Sequence, residues 1–290
     1  MLFFSIIFLV IKMSVYKCPV CNSSLEKVDR LFKCINNHSF DISKKGYVNL
    51  MLANQGHSLN EGDSKEMIAS RSRFLSGGFY SSLRNSLFNH ICSLSSKNSI
   101  IHFLDVACGE GYYTNFIHSQ MQQKCKINTV GVDISKAAIN ASSTSKNMAS
   151  LKDISYCVGN LDYLPFLNNS FDFLLNCFAP INVFEFNRVL KKDGYFIRVL
   201  PGKYHLLELK QFLYNEVHLN EPKEDELEGF ILESSHQVDD LITLNNEQIQ
   251  DLFTMTPYYY KTSNEAKNRL KTLESLTTKI SFIIKIYRKL

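Results

Sequence analysis

The chain lacks any hydrophobic run long enough to cross a bilayer as a helix. Its most apolar stretch, Met1-Leu-Phe-Phe-Ser-Ile-Ile-Phe-Leu-Val-Ile11, holds eleven residues, and a spanning helix needs about twenty. That stretch also lacks a basic segment ahead of it and a small-residue cleavage site behind it, so it does not read as a secretory leader. Met13-Ser-Val-Tyr-Lys-Cys18 is a natural start, and residues 1–12 read as an apolar extension or tail. A strong excess of charge is missing too. The 32 basic and 28 acidic side chains leave +4, which permits a nucleic-acid partner without demanding one. Nor do the eight cysteines, at 18, 21, 34, 92, 108, 125, 157 and 177, form a disulfide pattern. The last five are scattered singly through apolar or helical contexts, as reduced core residues are. A cytoplasmic, reducing compartment fits.

The dinucleotide spacing G-x-G-x-x-G is absent as well. What stands in its place is Phe103-Leu-Asp-Val-Ala-Cys-Gly-Glu-Gly-Tyr-Tyr-Thr114. The apolar run Ile100 to Leu104 suits a buried parallel strand. Asp105-Val-Ala-Cys-Gly-Glu-Gly111 then turns, and Gly109 and Gly111 let a ligand lie against bare backbone. A helix restarting at Tyr112 points its free N–H groups at that ligand. About twenty residues later Thr129-Val-Gly-Val-Asp133 ends a second apolar run in a carboxylate, well placed for a ribose diol. D-x-x-C-G-x-G followed by V-D-x-S looks like the S-adenosylmethionine (SAM) site of Rossmann-like methyltransferases. Asp105, Gly109, Glu110, Gly111 and Asp133 are therefore candidate cofactor residues.

Cys18-Pro-Val-Cys21 and Cys34-Ile-Asn-Asn-His38 form C-x2-C-x12-C-x3-H. Four sulfur and nitrogen ligands close a tetrahedral zinc site and leave no position for a catalytic water, so the zinc reads as structural. Around it, Lys17, Lys27, Arg30, Lys33, Lys44 and Lys45 outnumber Glu26, Asp29 and Asp41 and lie beside Tyr16, Phe32, Phe40 and Tyr47. Basic groups among aromatics suit RNA loops. The alternative is that the rings form a tiny core and the lysines a solvated face.

The domain order expected is an extension over 1–12, a zinc-binding RNA-recognition module over 13–50, a polar linker over 51–64 and a methyltransferase domain over 65–290. Ser64 or Asp63 caps a helix over 65–76, and a second runs over 81–94. Helix then alternates with strand: helix 136–148, strands 154–158 and 171–175, helix 183–190 stopped by Gly194, and strand 195–200. A largely helical stretch follows over 202–218, then a strand over 229–234, a short helix over 248–255 and a last strand over 279–289. This implies an α/β, mostly parallel Rossmann-like sheet of about seven strands with an antiparallel edge.

From Met13 onward the residues resemble one family closely: the zinc-containing, SAM-dependent methyltransferases that modify N1 of a guanine in 23S rRNA. The resemblance is carried by Cys-Pro-x-Cys, His38-x-Phe-Asp41, Lys45-Gly-Tyr-Val-Asn-Leu50, Gly62-Asp-Ser64 and Cys-Gly-Glu-Gly-Tyr-Tyr-Thr114. Leu164-Pro-Phe166, Ala179-Pro180 and Tyr214-Asn-Glu-Val-His-Leu219 extend it. It implies SAM contacts at Tyr80, Gly109, Glu110 and His205, an rRNA hairpin as partner and the guanine 745 type of target. Alternatives are the neighbouring guanine 748, methylation of which is linked to macrolide resistance, and a small-molecule substrate. Guanine N1 lies on the Watson–Crick edge and carries a proton, so the base must be unpaired or flipped out and a proton acceptor helps. Asp162, Glu216 and His218 are candidates among which the sequence does not choose. A groove shared by two subunits of a homodimer would suit a hairpin.

Overall fold

The computed structural model describes residues 14–53, 63–95, 100–144, 151–221 and 226–290. The extension over 1–12 and most of the polar linker lie outside the described residues.

Two sheets organise the chain. A three-stranded antiparallel sheet joins β1 (Leu25–Val28), β2 (Leu31–Cys34) and β3 (Ser39–Asp41). The central sheet contains β4 (Val48–Asn49), β5 (Ile101–Val106), β6 (Ile127–Asp133), β7 (Ile154–Val158) and β8 (Phe171–Cys177). It is completed by β9 (Leu190–Pro201), β10 (Phe230–Asn245) and β11 (Ser275–Lys289). Its order is β10-β11-β9-β8-β5-β6-β7-β4, with β4 through β9 parallel and β11 antiparallel to both neighbours. The chain steps outward from β5 through β6 to β7, then returns to place β8 on the other side of β5. The carboxyl ends of β5 and β8 thus form the topological switch point, where open α/β sheets bind ligands.

Helices cover the parallel strands because those strands are apolar on both sides; Phe103, Leu104, Leu174, Leu175 and Ile197 are all buried. α1 (Lys65–Ser76) starts where Ser64 Oγ accepts the Met67 N–H at 3.2 Å. α2 (Ser81–Leu94) and α3 (Tyr112–Met121) bury Leu83, Leu87, Ile91 and Ile117 in the same core.

Several sequence expectations differ from the fold. The helix expected over 136–148 is α4 (Lys136–Ser142), and residues 145–148 lie outside the described residues. The strand expected over 229–234 runs on to Asn245. Its middle, Glu233-Ser-Ser-His-Gln237 and Asp239-Asp240, is polar on both faces, so only pairing with β11 reveals it. The helix expected over 202–218 is confined to α6 (Leu207–Leu213). Asn220 folds back, its side chain donating to the Gly202 carbonyl at 2.8 Å and its N–H to that of Lys203 at 3.2 Å. The helix over 183–190, α5 (Val183–Val189), ends one residue early and passes straight into β9, with Asp193 rather than Gly194 in the left-handed region. Among the described residues the sheet has eight strands, because Val48–Asn49 at the end of the zinc-bearing segment pairs with β7.

Candidate functional site

Asp105, at the end of β5, is buried and accepts the Thr114 hydroxyl at 2.5 Å. Burial pushes its carboxyl up to about 7, with the charges of Asp133 and Glu110 adding to the rise and the Thr114 bond opposing it. The chain then turns through Ala107 and Gly109, both left-handed, to Gly111 at φ 79°, which starts α3. Gly111 has a reason internal to the protein: a Cβ there would stand 2.6 Å from the Tyr156 hydroxyl. At Gly109 a Cβ would meet only the Arg71 guanidinium at 3.6 Å or more. Its glycine answers to backbone conformation and to open space beside the turn.

Asp133 closes the turn from β6. Its Oδ2 accepts the Gly109 N–H at 2.9 Å and its Oδ1 the Ser135 N–H at 2.8 Å. Each carboxylate oxygen has a second lone pair, which is what a ribose diol would use. A cleft beside it is lined by Val106, Ala107, Val132, Asp133, Gly159 and Asn160. Glu110 is held from α1: Arg71 Nε donates to it at 2.8 Å while Arg71 also pairs with Asp63 at 2.5 Å. Arg71, on the helix expected over 65–76, was not among the candidate cofactor residues. No local pattern announces a guanidinium 39 positions before its partner.

Tyr80 and His205, distant in sequence, are brought together across the switch point with Oη to Nε2 at 3.4 Å. Ser281 donates its N–H to His205 Nδ1 at 3.2 Å, so the neutral ring carries its proton on Nε2 and donates it to Tyr80. Burial, then the nearby Lys210 charge, pushes His205 down to about 3. Held so low, the ring is neutral near pH 7. Together the glycine turn, the free N-terminus of α3, Asp133, Tyr80 and His205 suit a cofactor with a ribose and a charged tail.

The zinc cluster is geometrically ready. Cys21 and Cys34 sulfurs lie 3.7 Å apart, and His38 Nδ1 lies 3.6 Å from Cys18 Sγ and 3.4 Å from Cys34 Sγ. A tetrahedral ion with Zn–S of about 2.3 Å and Zn–N of about 2.0–2.1 Å requires separations of about 3.8 and 3.6 Å. Hydrogen bonds from Ser23, then Asn36, pull the Cys21 thiol down to about 5, towards the thiolate that a metal needs. Lys17 N–H donates to the Pro165 carbonyl, Leu167 N–H to that of Val15 and Leu50 N–H to that of Val158, each at 2.9 Å. Tyr16 packs between Phe32 and Phe166. One expectation is corrected here. Tyr16 and Tyr47 are buried, so they dock the ribbon on the larger domain instead of offering rings to bases.

Comparison with known proteins gives this geometry its family. Residues 16–59 match the family described as "RlmA, N-terminal", a zinc ribbon, and residues 97–271 match "Methyltransferase domain". A Micromonospora griseorubida protein named "Putative 23S rRNA (guanine-N(1)-)-methyltransferase" is 31% identical over 207 residues, 67% of this chain and 68% of its own. The chain belongs to the zinc-ribbon 23S rRNA (guanine-N1)-methyltransferase family. YxjB of Bacillus subtilis, "Putative 23S rRNA (guanine-N(1)-)-methyltransferase", is 29% identical over 93% of this chain and 96% of its own. A Streptomyces fradiae relative, named "23S rRNA (guanine(748)-N(1))-methyltransferase", is 28% identical over 67% of this chain and 65% of its own. As in the family, the cofactors are SAM and a structural zinc ion.

The three candidate proton acceptors lie on two separate segments. Asp162 lies in a short 3-10 turn after β7, exposed, where Asn182 Nδ2 donates to it at 3.1 Å. Glu216 and His218 are exposed on the irregular stretch after α6. Among the described residues no helix is long and apolar enough to cross a membrane.

Proposed function

We propose that this protein transfers a methyl group from SAM to N1 of a guanine in a hairpin of 23S rRNA, in the cytoplasm, with guanine 745 as the target type. The observation that supports it most is the joining of two parts. A ligand-ready switch point and a zinc ribbon are docked as neighbours through Tyr16, Phe166 and the β4–β7 pairing.

When bound, SAM supplies an electrophilic methyl on a sulfonium, so the protein's work is alignment. In this reading Gly109 and the start of α3 receive the cofactor's charged tail, and Asp133 receives its ribose. Glu110 is kept in place by Arg71, and His205 steadies Tyr80. The exposed Lys27, Lys33, Lys44 and Lys45 meet phosphates of the hairpin, and the extension over 1–12 takes no part. The acceptor of the N1 proton is sought among Asp162, Glu216 and His218, each exposed to the entering base.

Primer extension tests the reading, because a methyl at N1 blocks base pairing and stops the polymerase. Naked 23S rRNA from a deletion strain, incubated with the protein and SAM, should acquire a single new stop. A stop at guanine 748, the target in the name of the Streptomyces fradiae relative, would move the target by three nucleotides. No stop anywhere in the RNA would overturn the reading.

A further inference from the structure

The end of β8 and the turn that follows it, Asn176-Cys-Phe-Ala-Pro180, carry costs that packing does not repay. Phe178 sits at φ 58°, in the left-handed region where a bulky side chain is strained. It is held there because its N–H donates to the Val199 carbonyl at 3.1 Å. Asn176, fully buried, donates its amide to the carbonyls of Pro180 at 3.2 Å and Val106 at 3.5 Å, which fixes the turn against β5. Two carbonyl partners identify that atom as the amide nitrogen. The Asn176 oxygen is then left buried with no hydrogen-bond partner among the described residues. A strained ring would be compensated if it entered the core, yet Phe178 is 44% exposed. Uncompensated strain of this kind persists where it serves function.

The position says which function. β8 adjoins β5 at the switch point, with Asn176 in register with Val106 just before the glycine turn. One part of the Phe178 ring rests on Phe282 at 5.7 Å, and Phe282 packs on both Tyr80 and His205 at 4.8 Å. The remainder faces outward at the carboxyl edge of the sheet. Other exposed rings follow the same edge: Tyr163 after β7, Phe184 at the start of α5 and Tyr204 after β9. Tyr204 has Lys203 and Lys279 within 6 Å of its ring. A flat, unpaired base meets aromatic faces and nearby cations along this edge, as single-stranded nucleic acid requires.

We propose that Phe178 is the platform on which the target guanine stacks once it is out of its hairpin, setting the plane in which N1 approaches the methyl group. This rests on the function proposed above. Stacking recognises a π face, so a tyrosine should replace Phe178 and a leucine of similar bulk should not.

The test is the single-turnover methylation rate of a transcript carrying the 23S rRNA hairpin, with SAM affinity measured by calorimetry on the same zinc-loaded proteins. Phe178→Ala and Phe178→Leu should lose about ten- to a hundred-fold in rate. Phe178→Tyr should stay within about three-fold of the parent, and SAM affinity within about two-fold throughout. Phe178→Gly should be as slow as alanine while its melting temperature holds or rises, since glycine relieves the φ strain. A leucine variant as fast as the parent overturns the platform alone, as does a SAM affinity that falls in step with the rate. A parent protein that leaves the transcript unmethylated overturns the rRNA reading, and the platform with it.

Discussion

The Gly109 N–H donates to Asp133 Oδ2 at 2.9 Å, so the carboxylate expected to serve a ribose first serves the turn that would receive the cofactor. Asp133→Ala removes that bond and the one from Ser135, and lets the turn relax. A hydrogen bond to a charged group is worth roughly 1.5–3 kcal/mol. Calorimetry should therefore show SAM binding about ten- to a hundred-fold weaker, with a lower melting temperature in the cofactor-free protein. An affinity loss without any loss of stability would mean that the ribose contact is the larger role.

Arg71 joins Asp63 and Glu110, and the Glu110 side chain is only 9% exposed. Removing one partner of a buried pair leaves a charge uncompensated; because Arg71 and Asp63 are partly solvated, about 2 kcal/mol is expected rather than the full buried-pair cost. Arg71→Ala should lower the melting temperature by roughly 4–8 °C and weaken SAM binding. Arg71→Lys should recover only part, since one ammonium cannot fork between two carboxylates. Thermal melts of the two variants, with and without SAM, check both statements.

How much was legible follows from what each residue's partner was. The helices Lys65–Ser76 and Ser81–Leu94 and the strand Ile154–Val158 match their expected bounds. Their signals are local: a capping Ser64, helical spacing and an apolar run. The zinc ligands and the glycine turn were legible for a similar reason: the ligands fall in two pairs, each spaced by only a few residues, and the turn is one short run. Arg71, Phe178 and the far half of β10 were not. Arg71 is defined by a carboxylate across the fold, Phe178 by a backbone angle, and β10 by the strand beside it. Gly111 was legible for an incomplete reason, since Tyr156 as well as any ligand needs its bare backbone.

Asp105 gives the fold an acid-side signature. Its folded carboxyl, near 7, lies above its unfolded value of about 3.9. Between those two pH values the folded state holds a proton that the unfolded state has released. This group's contribution to stability therefore falls as pH rises from about 4 to 7 and is level above that, with a slope approaching 1.4 kcal/mol per pH unit. Asp105→Asn keeps the Thr114 partner and deletes the titration. Denaturant melts at pH 5 and pH 7.5 should show the variant gaining stability relative to the parent at the higher pH. An equal difference at both pH values would mean that Asp105 does not titrate in this range.

Zinc should act on the ribbon and on its dock, and leave the cofactor turn alone. Cys21→Ala breaks the four-ligand set, and small zinc modules draw on the order of 10–16 kcal/mol of folding energy from the ion. Loss of the ribbon frees Tyr16 from Phe166 and the Pro165 and Val158 carbonyls from their donors. Metal analysis should find no zinc, hydrogen exchange should quicken at Lys17, Leu50 and Leu167, and rRNA methylation should be lost. SAM affinity should stay within a few-fold, because the backbone hydrogen bonds that dock the ribbon fall on Pro165, Leu167 and Val158, and none falls on Asp105, Gly109 or Asp133. Full methylation by the zinc-free variant would separate the ribbon from function.

The ribbon's lysines divide into two kinds. Lys17 is half-buried beside Arg188, its ammonium lowered by desolvation first and then by that neighbour's charge. Lys27, Lys33, Lys44 and Lys45 are exposed, and among the described residues none of them pairs with a buried carboxylate. Lys44 and Lys45 lie in the turn between β3 and β4, where Ser43 accepts the N–H groups of Lys45 and Tyr47 at 3.2 and 3.3 Å. The turn is thus held by its backbone, and alanine at 44 and 45 leaves it standing. If both ammonium groups meet phosphates, each contributes about −0.7 to −0.9 to the slope of log affinity against log salt. The double variant Lys44→Ala, Lys45→Ala should therefore bind the rRNA hairpin with a slope shallower by one to two units and a raised RNA KM, at unchanged SAM affinity. Filter binding across a salt series measures the slope directly. A slope and KM equal to the parent's would make those lysines a solvated face and shift the grip to the Lys203–Tyr204–Lys279 edge, where cations already flank an exposed ring.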